Sequence, residues 1–119
     1  RGIDARDVGD AHRAALISPE ENYRMFILSG KTPFTPDDCK ALKQTPEKVL
    51  QQRCPSACDL FASRRWKFPE SIDRVYDSSL AQRKLDWKPA YGFEDIARLL
   101  DAHIPEVLPE NAAENMISE

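Results

Sequence analysis

A nearly continuous apolar run, MFIL at residues 25–28, constrains the fold of this chain more than any other feature. The run lies inside the aromatic-rich stretch YRMFILSG (residues 23–30), which has Glu-Asn before it and ends in Ser-Gly. An apolar run of this kind is typical of an inner strand that is covered on both faces. The predicted fold therefore depends on which other elements cover the two faces of this strand.

A strand and a helix are predicted ahead of this run. Residues 3–6 form a short strand-like stretch, and DVGDAHRAAL follows with Asp7 as N-cap and Asp10 in an acidic first turn. Apolar residues recur there at helical spacing, at Val8, Ala11 and Ala15. Strand, helix, strand is the pattern of a parallel α/β sheet, which two strands cannot complete. We therefore expect residues 1–30 to be the last piece of a larger sheet.

Short helices are predicted beyond residue 30. Thr35-Pro36 and Thr45-Pro46 each place an N-cap residue before a proline at the first helical position. A third helix is expected from about residue 56 to 65, with Cys58 and Phe61 facing inward.

The last third of the chain predicts one more strand and two more helices. Residues 72–76 alternate as a short strand, and LAQRKL (residues 80–85) predicts a helix with Leu80, Ala81 and Leu85 inward. Asp86 then takes the left-handed position after that helix, and a final helix spans residues 93–103. We expect residues 31–104 to be a mainly helical lobe and residues 105–119 to be an acidic flexible tail.

Composition excludes several classes of protein. The 119 residues carry 17 Lys and Arg against 20 Asp and Glu, a net charge of −3, which argues against nucleic-acid binding. No apolar run approaches the roughly 18 residues needed to cross a bilayer, and the first residues lack the features of a signal peptide. The sequence therefore predicts a cytoplasmic protein with no membrane or nucleic-acid partner.

Three cysteines leave a metal-binding alternative open. Cys39, Cys54 and Cys58 have no Cys-x-x-Cys spacing, which in the cytoplasm favours reduced thiols. His12 and His103 could complete a tetrahedral site with Cys54 and Cys58, although Pro55 interrupts that pair. Our prediction is that the chain has no metal site.

Two separated stretches, DARDVGDAHRAAL (residues 4–16) and SIDRVYDSSLAQRKLDWKPAYGFEDIARLL (residues 71–100), resemble the C-terminal portion of one enzyme family. The family is the extended short-chain dehydrogenase/reductases, the NAD-dependent epimerase/dehydratases. The resemblance implies a partial α/β fold, in which the C-terminal strand-helix-strand of a Rossmann-like sheet (residues 1–30) precedes a mainly helical substrate-binding lobe (residues 31–104). It implies a nucleotide-sugar epimerase or dehydratase as the complete enzyme.

The segments that bind the cofactor and perform catalysis in this family have no counterpart here. The four glycines of the chain do not form the glycine-rich loop that holds a pyrophosphate. The Tyr-x-x-x-Lys pair is also absent, because the residues four positions after the three tyrosines are Ile27, Leu80 and Asp95. We expect this chain alone to be inactive and to bind no cofactor, whereas NAD or NADP is implied for the full-length enzyme.

The resemblance also implies a substrate site for a nucleotide-diphosphate sugar. The arginines that hold the diphosphate correspond to a region near Arg65 and Lys67, to a cleft-facing Arg74 and, with a one-residue offset, to Arg1. Solvated cations after a helix are the competing interpretation for Arg65 and Lys67. For Arg74, on a short predicted strand, the competing interpretation is a side chain that faces the interior of the lobe and not the cleft. The implied partner is the N-terminal Rossmann half or another chain, with a homo-oligomer possible. The alternative function is a small non-catalytic module that docks a protein through uncovered apolar strands.

Overall fold

The structure, a computed structural model, describes residues 2–19, 24–104 and Val107. Six α-helices occur in that part of the chain: α1 (Ala5–Ile17), α2 (Cys39–Gln44), α3 (Pro46–Arg53), α4 (Pro55–Arg64), α5 (Ser79–Leu85) and α6 (Phe93–Asp101). A 3₁₀ turn, Pro36–Asp38, leads directly into α2.

Helix α1 begins three residues earlier than the sequence predicted. Asp4, not Asp7, is the N-cap: its backbone is extended and its side chain accepts the backbone N–H of Arg6 at 2.9 Å. Ala5 and Arg6 are therefore helical, and the predicted strand at residues 3–6 is wrong.

The predicted Rossmann-like strand-helix-strand is also wrong, because the described residues contain no strand and no sheet. Residues 24–30 join the chain start through one backbone bond, from the Gly30 N–H to the Gly2 carbonyl at 2.9 Å. Lys31 and Gly92 also form an isolated parallel β-bridge. A ladder needs successive pairs, and residues 5 and 6 of the predicted strand belong to α1 instead. The strand expected at residues 72–76 is also absent. Its contact with the segment at residues 24–30 is a side-chain bond, from the Ser29 hydroxyl to the Tyr76 carbonyl at 3.1 Å, and not a backbone ladder.

The helix predictions are largely confirmed. Asp38 accepts the backbone N–H of Thr35 at 2.8 Å and closes the predicted turn, and α3 begins at the predicted Pro46. Helix α4 covers the segment expected at residues 56–65. Asp86 adopts the predicted left-handed conformation, with φ 48° and ψ 47°. The tail predicted at residues 105–119 lies outside the described residues, apart from Val107.

Two hydrophobic clusters hold the described chain together. The first joins α1, α5 and the turn after α5, with Phe26 and Leu28 packed against it; its buried members are Ala11, Ala14, Ala81, Leu85 and Trp87. The second joins α3, α4 and α6, with buried members Leu50, Cys54, Ala57, Cys58 and Ala97. Ala81 and Leu85 thus face inward as predicted, whereas Leu80 is exposed.

Candidate functional site

A cleft of about 710 Å³ lies where the non-helical segments of the chain meet. Four stretches line it, residues 2–5, 29–34, 71–76 and 91–93, of which Ala5 begins α1 and Phe93 begins α6. Leu50 and Phe61 add apolar surface from helices α3 and α4. Its volume falls in the range of about 300–1,000 Å³ typical of small-molecule sites. The cleft is therefore the candidate site for a ligand.

Close backbone packing builds one wall of this cleft. The Lys31 N–H donates to the Tyr91 carbonyl at 3.2 Å, beside the bond that Gly30 makes to Gly2. A Cβ atom on Gly30 would lie 3.0 Å from the Gly2 carbonyl oxygen, and one on Gly92 would lie 3.0 Å from the Lys31 carbonyl oxygen. Both positions therefore need glycine for these segments to approach.

A buried carboxylate fixes the same wall from the helix side. Asp7, in the first turn of α1, is only 1% exposed. Its Oδ1 accepts the Ala90 N–H at 2.8 Å and its Oδ2 accepts the Tyr91 N–H at 3.1 Å. The helix macrodipole further favours an acidic group at this end of α1.

Arg6 links this carboxylate region to the ring of Tyr91. The guanidinium carbon lies 3.9 Å from the ring centroid, which is cation–π geometry. Arg6 in turn forms a two-point ion pair with Asp4, through Nε at 2.8 Å and Nη2 at 2.9 Å. These hydrogen bonds hold the pKa of Asp4 below its ordinary value, against the opposing effect of burial.

Of the four predicted substrate-binding residues, the structure brings Arg74 to the cleft. Its side chain is 64% exposed, and its Nε lies 3.7 Å from a carboxylate oxygen of Asp73. Arg65 ends α4 in a left-handed conformation, and Lys67 is exposed just after it; neither lines the cleft. Arg1 lies outside the described residues.

Sequence reasoning missed two residues of this site. Lys31 lines the cleft as a second cation, and Asp7 shapes its wall rather than capping α1. A signal for Lys31 was available, because a Gly-Lys pair follows the apolar run at residues 25–28 after one intervening residue, Ser29. Asp7 gave no such signal, since its partners are more than eighty residues away.

Two of the three cysteines, Cys54 and Cys58, are poor nucleophiles. All three are free thiols, and Cys54 and Cys58 are buried. Burial raises the pKa of the Cys54 thiol to about 11, with smaller contributions from Glu94 and Cys58, and burial likewise raises the pKa of Cys58. Within residues 2–19 and 24–104, no three His, Cys, Asp or Glu side chains are grouped closely enough to bind a metal.

Comparison with known proteins leaves the family resemblance as a prediction from the two motifs. No family model matches the chain, and no curated protein or solved structure is significantly similar to it. Of the helices described, none combines the length and the apolar character needed to span a bilayer.

Proposed function

We propose that this chain is the substrate-binding C-terminal part of an NAD(P)-dependent nucleotide-sugar epimerase or dehydratase of the cytoplasm. In this proposal the cofactor-binding and Tyr-x-x-x-Lys segments belong to an N-terminal half that is not in the sequence. One observation carries it: the two stretches that resemble the family contact each other.

The contact between the two stretches is specific. Asp7 of the first stretch accepts the N–H groups of Ala90 and Tyr91 in the second, across 83 and 84 residues of chain. Both stretches also contribute to one buried cluster: the first supplies Ala11 and Ala14, and the second supplies Ala81, Leu85 and Trp87. Residues that define a family pattern are expected to pack together in this way when the pattern records a common core. This supports treating the two stretches as one unit.

The cleft next to this contact supports a phosphorylated ligand. Arg74 and Lys31 line it from separate segments as cations, beside the carboxylates of Asp4 and Asp73, while Tyr91 and Phe34 bring aromatic surface. A guanidinium presents paired donors that match phosphate oxygens, and an ammonium adds a point charge. A nucleotide-diphosphate sugar has the anionic and ring parts that such a cleft would contact.

Isothermal calorimetry with UDP-glucose tests this proposal. We expect weak binding to the wild type, and an affinity lower by about tenfold or more in Arg74→Ala, because a hydrogen bond to a charged group contributes roughly 1.5–3 kcal/mol. Arg83→Ala is the matched control, because Arg83 is an exposed cation on α5 that does not line the cleft. NAD and NADP are expected to give no binding heat.

Two results would contradict the proposal. One is a wild type that does not bind UDP-glucose; the other is equal loss of affinity in Arg74→Ala and Arg83→Ala, which would indicate general charge attraction.

An uncovered apolar face favours a second candidate function, a module that docks another polypeptide. Phe26 and Leu28 pack on the first cluster, but the alternating residues Met25 and Ile27 are 81% and 56% exposed. Exposed apolar patches mark interaction sites in many proteins. This candidate predicts concentration-dependent association, which Met25→Gln combined with Ile27→Gln would reduce. Size-exclusion chromatography with light scattering that finds a monomer at high concentration would exclude it.

A further inference from the structure

Five hydrogen bonds hold the backbone at residues 90–92, which forms part of the cleft wall. Asp7 accepts the N–H groups of Ala90 and Tyr91, and the Tyr91 carbonyl accepts the Lys31 N–H. The Gly92 N–H donates to Asp95 at 2.9 Å, and the Gly92 carbonyl accepts the N–H of Ile96 at 3.0 Å. The backbone at residues 90–92 is therefore bonded to α1, to Lys31 and to the first turn of α6.

Of these partners, the Asp7 side chain holds two of the backbone groups at once. Its two oxygens serve two consecutive N–H groups, which is possible because a carboxylate has acceptors only. Asp7 is almost completely buried, so water has little access to take over. An amide at this position would turn a donor towards one of the two N–H groups.

We infer that Asp7 is a positioning residue for the cleft. Its carboxylate reaches from the first turn of α1 to the N–H groups of Ala90 and Tyr91, fixes the wall that Tyr91 and Gly92 give to the cleft, and thereby sets ligand affinity without touching the ligand. The statement about affinity rests on the proposed function; the statement about the wall stands on the contacts alone.

Two measurements on Asp7→Asn test this inference. In wild type, the Ala90 and Tyr91 amides are expected to exchange slowly with solvent, and in the variant both are expected to exchange about tenfold faster or more, as followed by NMR. UDP-glucose affinity by calorimetry is expected to fall about tenfold, because binding must then order the wall. A residue that acts only on global stability would leave this affinity unchanged at a temperature where the variant is folded.

Asp10→Asn is the matched control on the same helix. Asp10 is 63% exposed and lies 3.9 Å from Arg13 on the solvent face, so neither measurement is expected to change. Circular dichroism establishes that each variant is folded. If Asp7→Asn does not fold, the wild-type amides decide: rapid exchange at Ala90 and Tyr91 overturns the inference, and slow exchange supports it.

The outcomes separate this inference from the proposed function. A wild type that does not bind UDP-glucose contradicts the proposed function, while the exchange rates still decide whether Asp7 fixes the wall. A wild type that binds, with an Asp7→Asn variant that binds equally well or exchanges equally slowly, overturns the inference and leaves the proposed function in place.

Discussion

Asp86 holds the turn after α5 in a conformation that suits glycine better. Its φ of 48° and ψ of 47° lie in the left-handed region, where a Cβ atom approaches the following carbonyl. This turn directs the Trp87 side chain back into the first cluster, and the Trp87 backbone N–H donates to the Gln82 carbonyl at 3.2 Å. A strained residue therefore stands at the exit of a packed helix.

Replacement of Asp86 by glycine is expected to stabilise the chain. We predict a gain of about 1 kcal/mol in the free energy of unfolding, since glycine adopts this conformation without a Cβ penalty. Asp86→Ala is the control and is expected to be less stable than wild type, because alanine has the Cβ but not the polar side chain that tolerates the turn. Urea denaturation measures both; a glycine variant no more stable than wild type would refute the strain.

Cys54 is expected to be the least reactive thiol of the chain. Burial raises its pKa to about 11, so the reactive thiolate is scarce at pH 8. With iodoacetamide at pH 8, we expect exposed Cys39 to be alkylated first and Cys54 last, as followed by mass spectrometry of the peptides. Equal rates for Cys39 and Cys54 in the folded chain would contradict this; in denaturant the rates are expected to converge.

The raised pKa of Cys54 also has a consequence for stability. The unfolded thiol loses its proton near the ordinary value of 9.0, whereas the folded thiol keeps it until about pH 11. The folded state therefore binds more protons between these values, and the free energy of unfolding is expected to fall as pH rises from 9 to 11. Cys54→Ala is expected to show a smaller fall over the same window.

At the scale of elements, Asp4 determines where α1 begins. It caps the first turn and pairs with Arg6, and these bonds keep its pKa below the ordinary value of 3.8. We predict that Asp4→Ala loses about 1 kcal/mol at pH 7, a common cost for an N-cap residue. Because the folded-state pKa is depressed, this contribution is present above pH 3.8 and is lost as pH falls through the folded-state value.

Asp10→Ala provides the comparison for Asp4. Its ion pair with Arg13 lies on the surface, where such pairs contribute little. Urea denaturation at pH 7 is expected to distinguish the two variants, and the difference between them is expected to shrink as the pH is lowered below 3.8. Equal stabilities at pH 7 would show that Asp4 does not cap α1.

Helices were predictable from this sequence and strands were not, for physical reasons. Helix starts are local: Thr45-Pro46 fixes the start of α3 through the backbone of neighbouring residues. Strand pairing depends on residues far along the chain. At residues 4–7, either Asp4 or Asp7 can cap α1, and the choice between them decides whether residues 5 and 6 are helical. Asp4 prevailed over Asp7, because Asp7 is used by the Ala90 and Tyr91 amides, and so the first strand was lost.

The candidate site was predictable in part. Arg74 follows from its place in the second motif, and it does line the cleft. Arg65 and Lys67 were assigned by a loose alignment through residues 66–69, and the left-handed turn at the end of α4 places them elsewhere. The role of Asp7 needed coordinates, since nothing in its local sequence distinguishes a cap from a long-range acceptor.

At the scale of the whole molecule, the fold is a thin layer held by contacts between distant helices. Its smallest extent is 19 Å, little more than one helix and one further layer of chain. Helix α1 packs on α5, and α4 packs on α6, so both contacts pair the first half of the chain with the second. The segment from residue 66 to 78 connects the halves and contains no helix.

From this arrangement we predict that the chain stays together when the peptide bond between Arg74 and Val75 is absent. Residues 1–74 and 75–119, expressed as two polypeptides in one cell, are expected to reassemble into a one-to-one complex, because each of the two helix pairs draws one member from each polypeptide. Co-purification through a tag on one piece, followed by mass spectrometry of the intact complex, measures the outcome. Complementation of this kind would make the two pieces a reporter of proximity. If each piece were fused to one of two proteins that bind each other, their binding would bring the pieces together and restore the cleft, which residues of both pieces line.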